Sequence, residues 1–219
     1  MGLFNAHRDA VIDFAWNNSL AVSGDRAGIL AFWDINRSEP LRVAKGHGSA
    51  VGKICFYSDD QVNNVILTAG LGDGRVNVYD MRSGQMVKAA VVHKGAINML
   101  GVSARTGHLV TASADKTVKV FDMRGGEGKN LSRVKMRTAS DSILCGELLD
   151  EGNLCLVGGA DGNLTAYDLS QGGKTGSEHL YAFGRDTPGA LSCMKVSPDQ
   201  STLVIGGETG QAHQLRFDN

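Results

Sequence analysis

The chain has 219 residues, with 22 basic and 23 acidic side chains, so its formal net charge is −1 at pH 7. No block of like charge stands out, which argues against a dedicated nucleic-acid or anionic-membrane surface, because such a surface needs a basic excess. No apolar run approaches the roughly 20 residues of a membrane-spanning helix. The 29 glycines lie between apolar runs, where turn residues are expected.

Short apolar runs recur along the chain, and the first begins at Val11, after His7. Near-continuous apolar runs of this length predict strands that are buried on both faces. We therefore expect Trp16, at the end of the first run, to lie in the core. The five runs are 11–16, 51–56, 97–102, 143–148 and 191–196.

Each apolar run is followed by a second pattern: a Gly- or Ala-rich stretch, a turn, an alternating apolar segment and an aromatic–Asp pair. Its copies end at Trp33–Asp34, Tyr79–Asp80, Phe121–Asp122 and Tyr167–Asp168, with a degenerate fifth ending at Leu215–Arg216. The closing Asp residues are 46, 42 and 46 residues apart. Period-2 alternation predicts strands, and a period of about 40–45 residues is typical of propeller blades. We predict an all-β protein with five short antiparallel sheets of four strands each.

These repeats resemble those of the WD40 family. Gly46–His47 and Trp33–Asp34 carry the family's Gly-His and Trp-Asp signatures, and three other copies have Tyr-Asp or Phe-Asp. The resemblance runs from about residue 3 to residue 216 and implies one five-bladed WD40-type β-propeller domain over residues 1–219. The approximate repeats are 3–36, 43–82, 89–124, 134–170 and 181–217.

The sequence leaves the completeness of the ring open. A closed five-blade ring, in which the N-terminal segment supplies the outer strand of the last blade, lies within the propeller range of about 4–8 blades. The family more often resembles seven-bladed rings, so the chain is alternatively part of a larger propeller. An open arc completed by a partner or a second copy is the third alternative, and self-association is then expected.

In the WD40 family a loop His, a strand Ser or Thr, a turn Asp and the Trp form a hydrogen-bonded network inside a blade. Ala27 stands at the turn Asp position of the first repeat, so Trp33 is expected to lack that partner. Thr68 matches the strand position of the second repeat, and Thr111 or Ser113 that of the third. The structural residues that the resemblance implies are His7, His47, His93, Asp73, Asp115, Asp161 and Trp33.

Propellers of this family bind partners on the face where the His-bearing loops gather. The resemblance therefore implies a non-catalytic scaffold or adaptor whose partners are other proteins or peptides. By register, that face is predicted to carry Arg8, Asp9, Asp25, Arg26, Ser49, Lys94, Lys116 and Asp141.

Two repeat ends match the spaced Asp…Asp-x-Arg pattern of the so-called DWD box. This box resembles the element that substrate receptors of cullin–RING ubiquitin ligases use, which gives an alternative function. A structural ion pair between the Arg and the carboxylates is the other interpretation. The two matches are Asp73/Asp80/Arg82 and Asp115/Asp122/Arg124.

No motif predicts catalysis, a metal or a cofactor. The sequence has no HxxxH or clustered Cys/His pattern, and the Gly-rich segments 125–129 and 172–175 depart from the phosphate-loop pattern. The four widely spaced cysteines are predicted to be free buried thiols. The first residues lack the features of a signal peptide. We therefore expect an intracellular protein of the cytoplasm or nucleus that is not an enzyme.

Overall fold

The computed structural model describes residues 5–37, 39–58, 64–103, 106–123, 132–149, 154–169, 178–182 and 189–217. These residues form β-strands joined by turns and loops, and none of their segments is a helix long and apolar enough to cross a membrane. The strands are β1 (Val11–Asn17), β2 (Leu20–Asp25), β3 (Ile29–Asp34), β4 (Pro40–Lys45), β5 (Val51–Ser58), β6 (Asn64–Gly70), β7 (Arg75–Asp80), β8 (Met86–Val91), β9 (Ile97–Val102), β10 (His108–Ser113), β11 (Thr117–Asp122), β12 (Ser132–Thr138), β13 (Ile143–Leu149), β14 (Leu154–Gly159), β15 (Asn163–Asp168), β16 (Glu178–Ala182), β17 (Leu191–Val196), β18 (Thr202–Gly207) and β19 (Ala212–Arg216).

The strands form five antiparallel sheets in chain order, which confirms the predicted all-β propeller architecture. Blades 1 to 4 are β1–β4, β5–β8, β9–β12 and β13–β16, and blade 5 has three described strands, β17–β19. Each blade is a meander, because strands that are consecutive in the chain are hydrogen-bonded neighbours in the sheet. The turn between the second and third strands needs a left-handed residue. Glycine supplies it in four blades, with φ between 60° and 82°, and Lys116 supplies it in blade 3 with φ 68°.

The register makes positions in the five blades equivalent. Val22 pairs with Phe32 in blade 1, as Leu67 pairs with Val78 in blade 2. Because side chains alternate along a strand, each blade has a forward face toward the next blade and a rear face toward the preceding one. Blades 1 to 4 each bury their forward face against the rear face of the following blade, which gives four apolar interfaces.

The rear face of blade 1 is uncovered in the described structure. Phe14 is 62% exposed and Trp16 is 68% exposed, so the prediction that Trp16 lies in the core is wrong. An inner strand is buried on both faces where a blade packs on each side, and no described residue packs on this side of β1. The sequence of β1 is therefore as apolar as that of a strand buried on both faces, but no described blade covers the rear face of β1.

The described strands form an arc of five blades. The inner strands β1, β5, β9, β13 and β17 pack in sequence, and no comparable packing joins β17 to β1 within the described residues. The closed five-blade ring, one of the three alternatives, is therefore not formed by these strands. Residues 1–4, part of the N-terminal segment that this alternative assigns to the outer strand of the last blade, lie outside the described residues, and residues 5–10 contain no strand.

Candidate protein-binding faces

The loops that carry the repeat histidines lie at one end of the blades, together with the turns between the second and third strands. We call this end the His-loop face. The carbonyl oxygen of Gly74 accepts hydrogen bonds from the amides of Val92 and His93, at 2.9 and 3.1 Å. The carbonyl oxygen of Gly28 likewise accepts hydrogen bonds from the amides of Gly46 and His47. A turn of one blade thereby holds the loop that enters the next blade.

Blade 1 contains a complete hydrogen-bonded network. The indole nitrogen of Trp33 donates to the Ser23 hydroxyl at 2.9 Å, and that hydroxyl lies 2.7 Å from Nε2 of His7. Nδ1 of His7 lies 2.9 Å from a carboxylate oxygen of Asp25. The Asp25 carboxylate can only accept, so Nδ1–H of His7 donates to it, and in the neutral imidazole Nε2 then accepts from the Ser23 hydroxyl.

Asp25 corrects two sequence-based expectations. Asp25 is 1% exposed, so it belongs to the buried network and is not an accessible residue of the binding face. Ala27 indeed occupies the position before the left-handed Gly28, but Asp25 reaches His7 from the end of β2. The network of Trp33 is therefore complete through Ser23, His7 and Asp25. Asp25 is the one acidic residue in segment 23–29, and that is the signal that could have identified it.

Blade 2 builds the same arrangement with different groups. Nε2 of His47 lies 2.8 Å from the Thr68 hydroxyl and Nδ1 lies 3.0 Å from Asp73. The Tyr79 hydroxyl lies beside the Thr68 and Asn77 side chains, so a phenol takes the place of the indole. Burial raises the pKa of Tyr79, so this hydroxyl stays protonated and available as a donor.

In blade 3 the strand partner of His93 is Thr111, at 2.8 Å, rather than Ser113. Asp115 lies 3.0 Å from Nδ1 of His93 and also accepts from the amide of Lys94 and the hydroxyl of Thr117. Burial opposes ionisation of Asp115, but these hydrogen bonds outweigh it and hold its pKa at about 2. Phe121 has no polar ring atom, so no aromatic side chain joins this network, and the other neighbour of the Thr111 hydroxyl is the Lys119 carbonyl oxygen, at 3.4 Å.

The buried histidines of blades 2 and 3 favour the neutral form. Burial lowers the pKa of His47 and of His93, against the opposing charges of Asp73 and Asp115. A neutral imidazole has one donor nitrogen and one acceptor nitrogen. The donor can face the carboxylate while the acceptor faces the hydroxyl, so the neutral form satisfies both partners. These histidines therefore serve the fold rather than proton transfer.

Blade 4 lacks the loop His, and Val157 stands where blades 1 to 3 have Ser or Thr. Asp161 instead accepts from the Ser140 hydroxyl and from the amide of Asn163. The Ser140 contact still ties the connecting loop to the turn. Asp161 thus keeps its position in the turn without the histidine.

The rim of the His-loop face carries charged side chains, several of them paired. Arg26 pairs with Asp9 at 3.0 Å, and Lys116 pairs with Asp141 of the following blade at 3.0 Å. Arg8 and Lys94 are exposed. The Ser49 hydroxyl accepts from the amide of Gly72 at 2.9 Å. Except for Asp25, the structure brings the predicted binding residues to this rim.

The DWD-like residues of blade 2 lie at both ends of β7. Asp73 binds His47 at the His-loop face, whereas Asp80 caps the turn at the opposite end by accepting from the amide of Ser83 at 2.7 Å. Arg82 is exposed and forms no direct ion pair within the described residues, but its charge is, after the Ser83 amide, one of the causes that lower the pKa of Asp80. In blade 3, Asp115 binds His93, and Arg124 lies outside the described residues.

Arg82 lines a groove between blades 1 and 2, at the end opposite the His-loop face. The groove has a volume of about 280 Å³ and also contains Arg42, Phe32, Met81 and Gly84. Two guanidinium groups on an aromatic floor can bind a carboxylate or an acidic peptide. Sequence analysis identified Arg82 but not Arg42, because Arg42 belongs to no recurring pattern.

The described side chains include no cluster of three or more His, Cys, Asp or Glu that could hold a metal. All four cysteines are free. Burial raises the pKa of the Cys55, Cys145 and Cys155 thiols to about 12, which makes them poor nucleophiles. Cys193 is exposed, contrary to expectation, because it lies on the uncovered side of blade 5.

Comparison with known proteins places this architecture among WD40 proteins. The periodic tryptophan protein 1 homolog of Drosophila melanogaster is 26% identical over 210 residues, which cover 92% of this chain and 44% of that protein. The serine-threonine kinase receptor-associated protein of Dictyostelium discoideum is 26% identical over 199 residues, covering 90% and 62%. The chain thus spans less than two thirds of the length of these relatives.

Solved structures show the same fold. A chain of the mitotic checkpoint complex matches with a TM-score of 0.82 at 20% identity, covering 98% of this chain and 64% of that one. The WD40 repeats of RRP9 match with a TM-score of 0.81 at 17% identity, covering 97% and 62%. The family model described as WDR54 matches residues 11–177, which include blades 1 to 3 and the three inner strands of blade 4. The chain belongs to the WDR54 family of WD40-repeat proteins.

Proposed function

We propose that this protein is a non-catalytic interaction scaffold that binds other proteins or peptides through the His-loop face. One observation carries the proposal: exposed charged side chains form a rim on loops that buried hydrogen-bond networks hold in place. Arg8, Arg26, Lys94 and Lys116 are exposed, while His47 and His93 beneath them are buried.

A rigid rim lowers the entropy that binding must overcome, because its loops are already ordered. The ion pairs Arg26–Asp9 and Lys116–Asp141 are solvent-exposed, so each contributes little to stability and can exchange its partner at low cost. Both signs of charge alternate along the rim, which favours a partner with a mixed-charge surface over a polyanion.

The relatives support this proposal at a coarse level. Their names include a receptor-associated protein and a subunit of a translation initiation factor, both of which describe proteins that assemble with others. As part of the proposal, we infer that this chain also assembles with other proteins and that it acts inside the cell.

An alternative function is docking to a ubiquitin-ligase adaptor through the DWD-like ends. The exposed Arg82, beside Arg42 in the groove between blades 1 and 2, favours it. A partner bound there would contact the end of the blades opposite to the His-loop rim, so the two functions predict different sensitive residues.

Affinity purification with matched surface variants tests both functions. The rim variant carries Arg26→Ala, Lys94→Ala and Lys116→Ala, and the groove variant carries Arg42→Ala and Arg82→Ala. Partners lost by the rim variant and kept by the groove variant support the scaffold proposal. The reverse result, with a recovered adaptor and an unchanged melting temperature, supports the alternative. Identical partner sets for wild type and both variants would reject both sites.

A further inference from the structure

The groove between blades 1 and 2 contains two guanidinium groups and no carboxylate among its described lining residues. Arg42 on β4 and Arg82 in the turn after β7 are both exposed, and neither forms a direct ion pair with a described residue. Asp80 lies within the electrostatic reach of Arg82, but its Oδ1 already accepts from the Ser83 amide at 2.7 Å. Both guanidinium groups are therefore available to an anion from outside the chain.

The fold brings the two arginines to the same groove. Arg42 pairs with Phe32 across β3 and β4, so its side chain lies on the face of blade 1 that is turned toward blade 2. The turn that carries Arg82 is closed by the Gly84 amide, which donates to the Asp80 carbonyl oxygen at 2.9 Å. Gly84 has φ 62°, and a Cβ there would lie 3.5 Å from Cδ of Arg42. The turn of blade 2 thus lies directly against the stem of Arg42.

The floor of the groove is apolar. Val22, Phe32 and Ile66 line it and are at most 5% exposed, whereas Leu41 in its wall is 50% exposed. The volume of about 280 Å³ lies just below the roughly 300–1,000 Å³ of typical small-molecule sites. A groove of this size accommodates one or two side chains of a peptide. The lining therefore suits a ligand that combines an anionic group with a neighbouring apolar side chain.

The repeat itself does not require this pair of arginines. The outer-strand positions equivalent to Arg42 in blades 2, 3 and 4, defined by their pairing with the third strand, carry Lys88, Lys135 and Glu178. The turn positions equivalent to Arg82 in blades 3, 4 and 5 carry Arg124, Ser170 and Asp218. Two arginines thus meet between blades 1 and 2, whereas the corresponding pair between blades 4 and 5 consists of two acids. The positive charge is a local property of this groove.

The locality of the charge distinguishes a peptide from a polyanion. A nucleic acid requires a basic excess along a whole face, but the chain has a net charge of −1. A phosphodiester backbone would also leave the exposed Leu41 without an apolar partner. In an extended peptide, side chains two residues apart point the same way, so one can contact the arginines while the other packs on the apolar floor.

We propose that the groove between blades 1 and 2 binds an extended peptide segment of a partner protein, in which an anionic side chain lies two residues from a large aliphatic or aromatic one. The anion binds the guanidinium groups of Arg42 and Arg82, and the apolar side chain packs against Phe32 and Leu41. Carboxylates and phosphates both accept paired hydrogen bonds from a guanidinium, so Glu or Asp and phosphoserine are the two sources of the anion. The inference rests on the groove of the alternative function and names its ligand, but it requires no particular adaptor.

A peptide array probed with the full chain tests the proposal. Ten-residue peptides of otherwise random sequence carry Glu-x-Leu, Gln-x-Leu, Glu-x-Ser or phosphoserine-x-Leu at their centre. We expect binding of the Glu-x-Leu set, the phosphoserine-x-Leu set or both, and clearly weaker binding of the other two sets. The comparison of the first and last sets identifies the source of the anion. Equal binding of all four sets would overturn the proposal.

Variants then locate the site, with affinity measured by fluorescence anisotropy on the peptide that binds best. Arg42→Gln and Arg82→Gln should each weaken binding about tenfold, because each removes charge-assisted hydrogen bonds. Arg37→Gln is the matched control and should leave the affinity unchanged. Arg37 is an exposed arginine in the equivalent turn of blade 1, pairs with Asp34 at 3.4 Å and does not line the groove. Full affinity in both groove variants, or an equal loss in the control, would reject the site.

Two further measurements keep the result decisive. Arg82→Lys retains the charge but not the planar fork, so it should weaken binding at an unchanged melting temperature even if the Gln variants unfold. A short single-stranded DNA that binds as tightly as the peptide and depends on Arg82 would show a polyanion site and overturn the proposal. Arginine-dependent peptide binding without recovery of a ubiquitin-ligase adaptor upholds this inference and rejects the alternative function. Recovery of an adaptor without arginine-dependent peptide binding rejects the inference alone.

Discussion

Trp33 donates its indole hydrogen to Ser23 over 2.9 Å, and His7 connects that hydroxyl to the Asp25 carboxylate. The carboxylate can only accept, so Nδ1–H of His7 donates to Asp25, and in the neutral imidazole Nε2 accepts from the Ser23 hydroxyl. Every member of the network therefore has one defined role, and the loop that carries His7 is held at the His-loop face.

Ser23→Ala should break this network at its centre. The change leaves the indole N–H of Trp33 and Nε2 of His7 without the hydroxyl, and we expect a loss of about 1–3 kcal/mol in the free energy of unfolding. Urea unfolding measures the loss. Ser19→Ala, in the exposed turn before β2, is the control and should be neutral. Equal stability of the two variants would contradict the assigned network.

Tyr79 and Gly46 are coupled in blade 2, as Phe121 and Val92 are in blade 3. A Cβ at Gly46 would lie 2.5 Å from Cδ1 of Leu30 and 2.9 Å from the Tyr79 hydroxyl, so both side chains favour glycine at this loop position. Val92 is the equivalent residue in the next loop, because its amide also bonds the carbonyl of a left-handed turn glycine.

We therefore expect Phe121→Tyr to destabilise the chain alone and to be better tolerated with Val92→Gly. A double-mutant cycle by chemical unfolding should give a favourable coupling energy of about 0.5–3 kcal/mol. The control cycle pairs Phe121→Tyr with Val91→Gly, at the neighbouring exposed position. Additive effects in the Val92 cycle would reject the coupling.

Gly74 and Gly210 separate backbone strain from steric contact. Both have positive φ, 60° and 73°, but a Cβ at Gly74 would overlap the carbonyl oxygen of His93, whereas a Cβ at Gly210 meets nothing within 4 Å. Gly210→Ala should cost about 1–2 kcal/mol from the left-handed backbone alone. Gly74→Ala should cost clearly more, because it also displaces the loop that carries His93. Thermal unfolding compares them, and equal losses would contradict this explanation.

Stability should fall steadily on acidification. His47 and His93 have pKa values lowered by burial from 6.5, so below about pH 6.5 the unfolded chain binds protons that the folded chain excludes. Asp115 adds a second loss at lower pH, because its pKa of about 2 lies below the usual range of an Asp carboxyl. This contribution is present above about pH 4 and is lost as the pH falls toward 2. Unfolding midpoints between about pH 8 and pH 2 and NMR titration of both imidazoles check this, and an imidazole pKa above 6.5 would contradict it.

The repeat period and the strand alternation were enough to predict the blades, because both are local properties of the chain. The burial of β1 could not be predicted in this way. Trp16 and Phe56 occupy equivalent positions at the end of similar apolar runs, and their environments differ only because a blade packs on the rear side of β5.

The network residues were predictable where turn lengths agree. Asp73 and Asp115 directly precede the left-handed residues Gly74 and Lys116, whereas Asp25 lies three residues before Gly28. When the repeats are aligned on the left-handed residue, Ala27, which directly precedes Gly28, therefore takes the position of the turn Asp. A side chain at the end of a strand can reach the same imidazole as one in the turn, and spacing alone does not reveal this.

The four buried faces between consecutive blades make the arc a one-dimensional array with nearest-neighbour coupling. Each inner blade is stabilised by contacts on both sides, while blades 1 and 5 have one described neighbour each. In such arrays the free energy of local opening rises from the ends toward the middle. Amide hydrogens of β10 and β11 in blade 3 should therefore exchange with solvent most slowly, and unfolding should propagate inward from the two end blades.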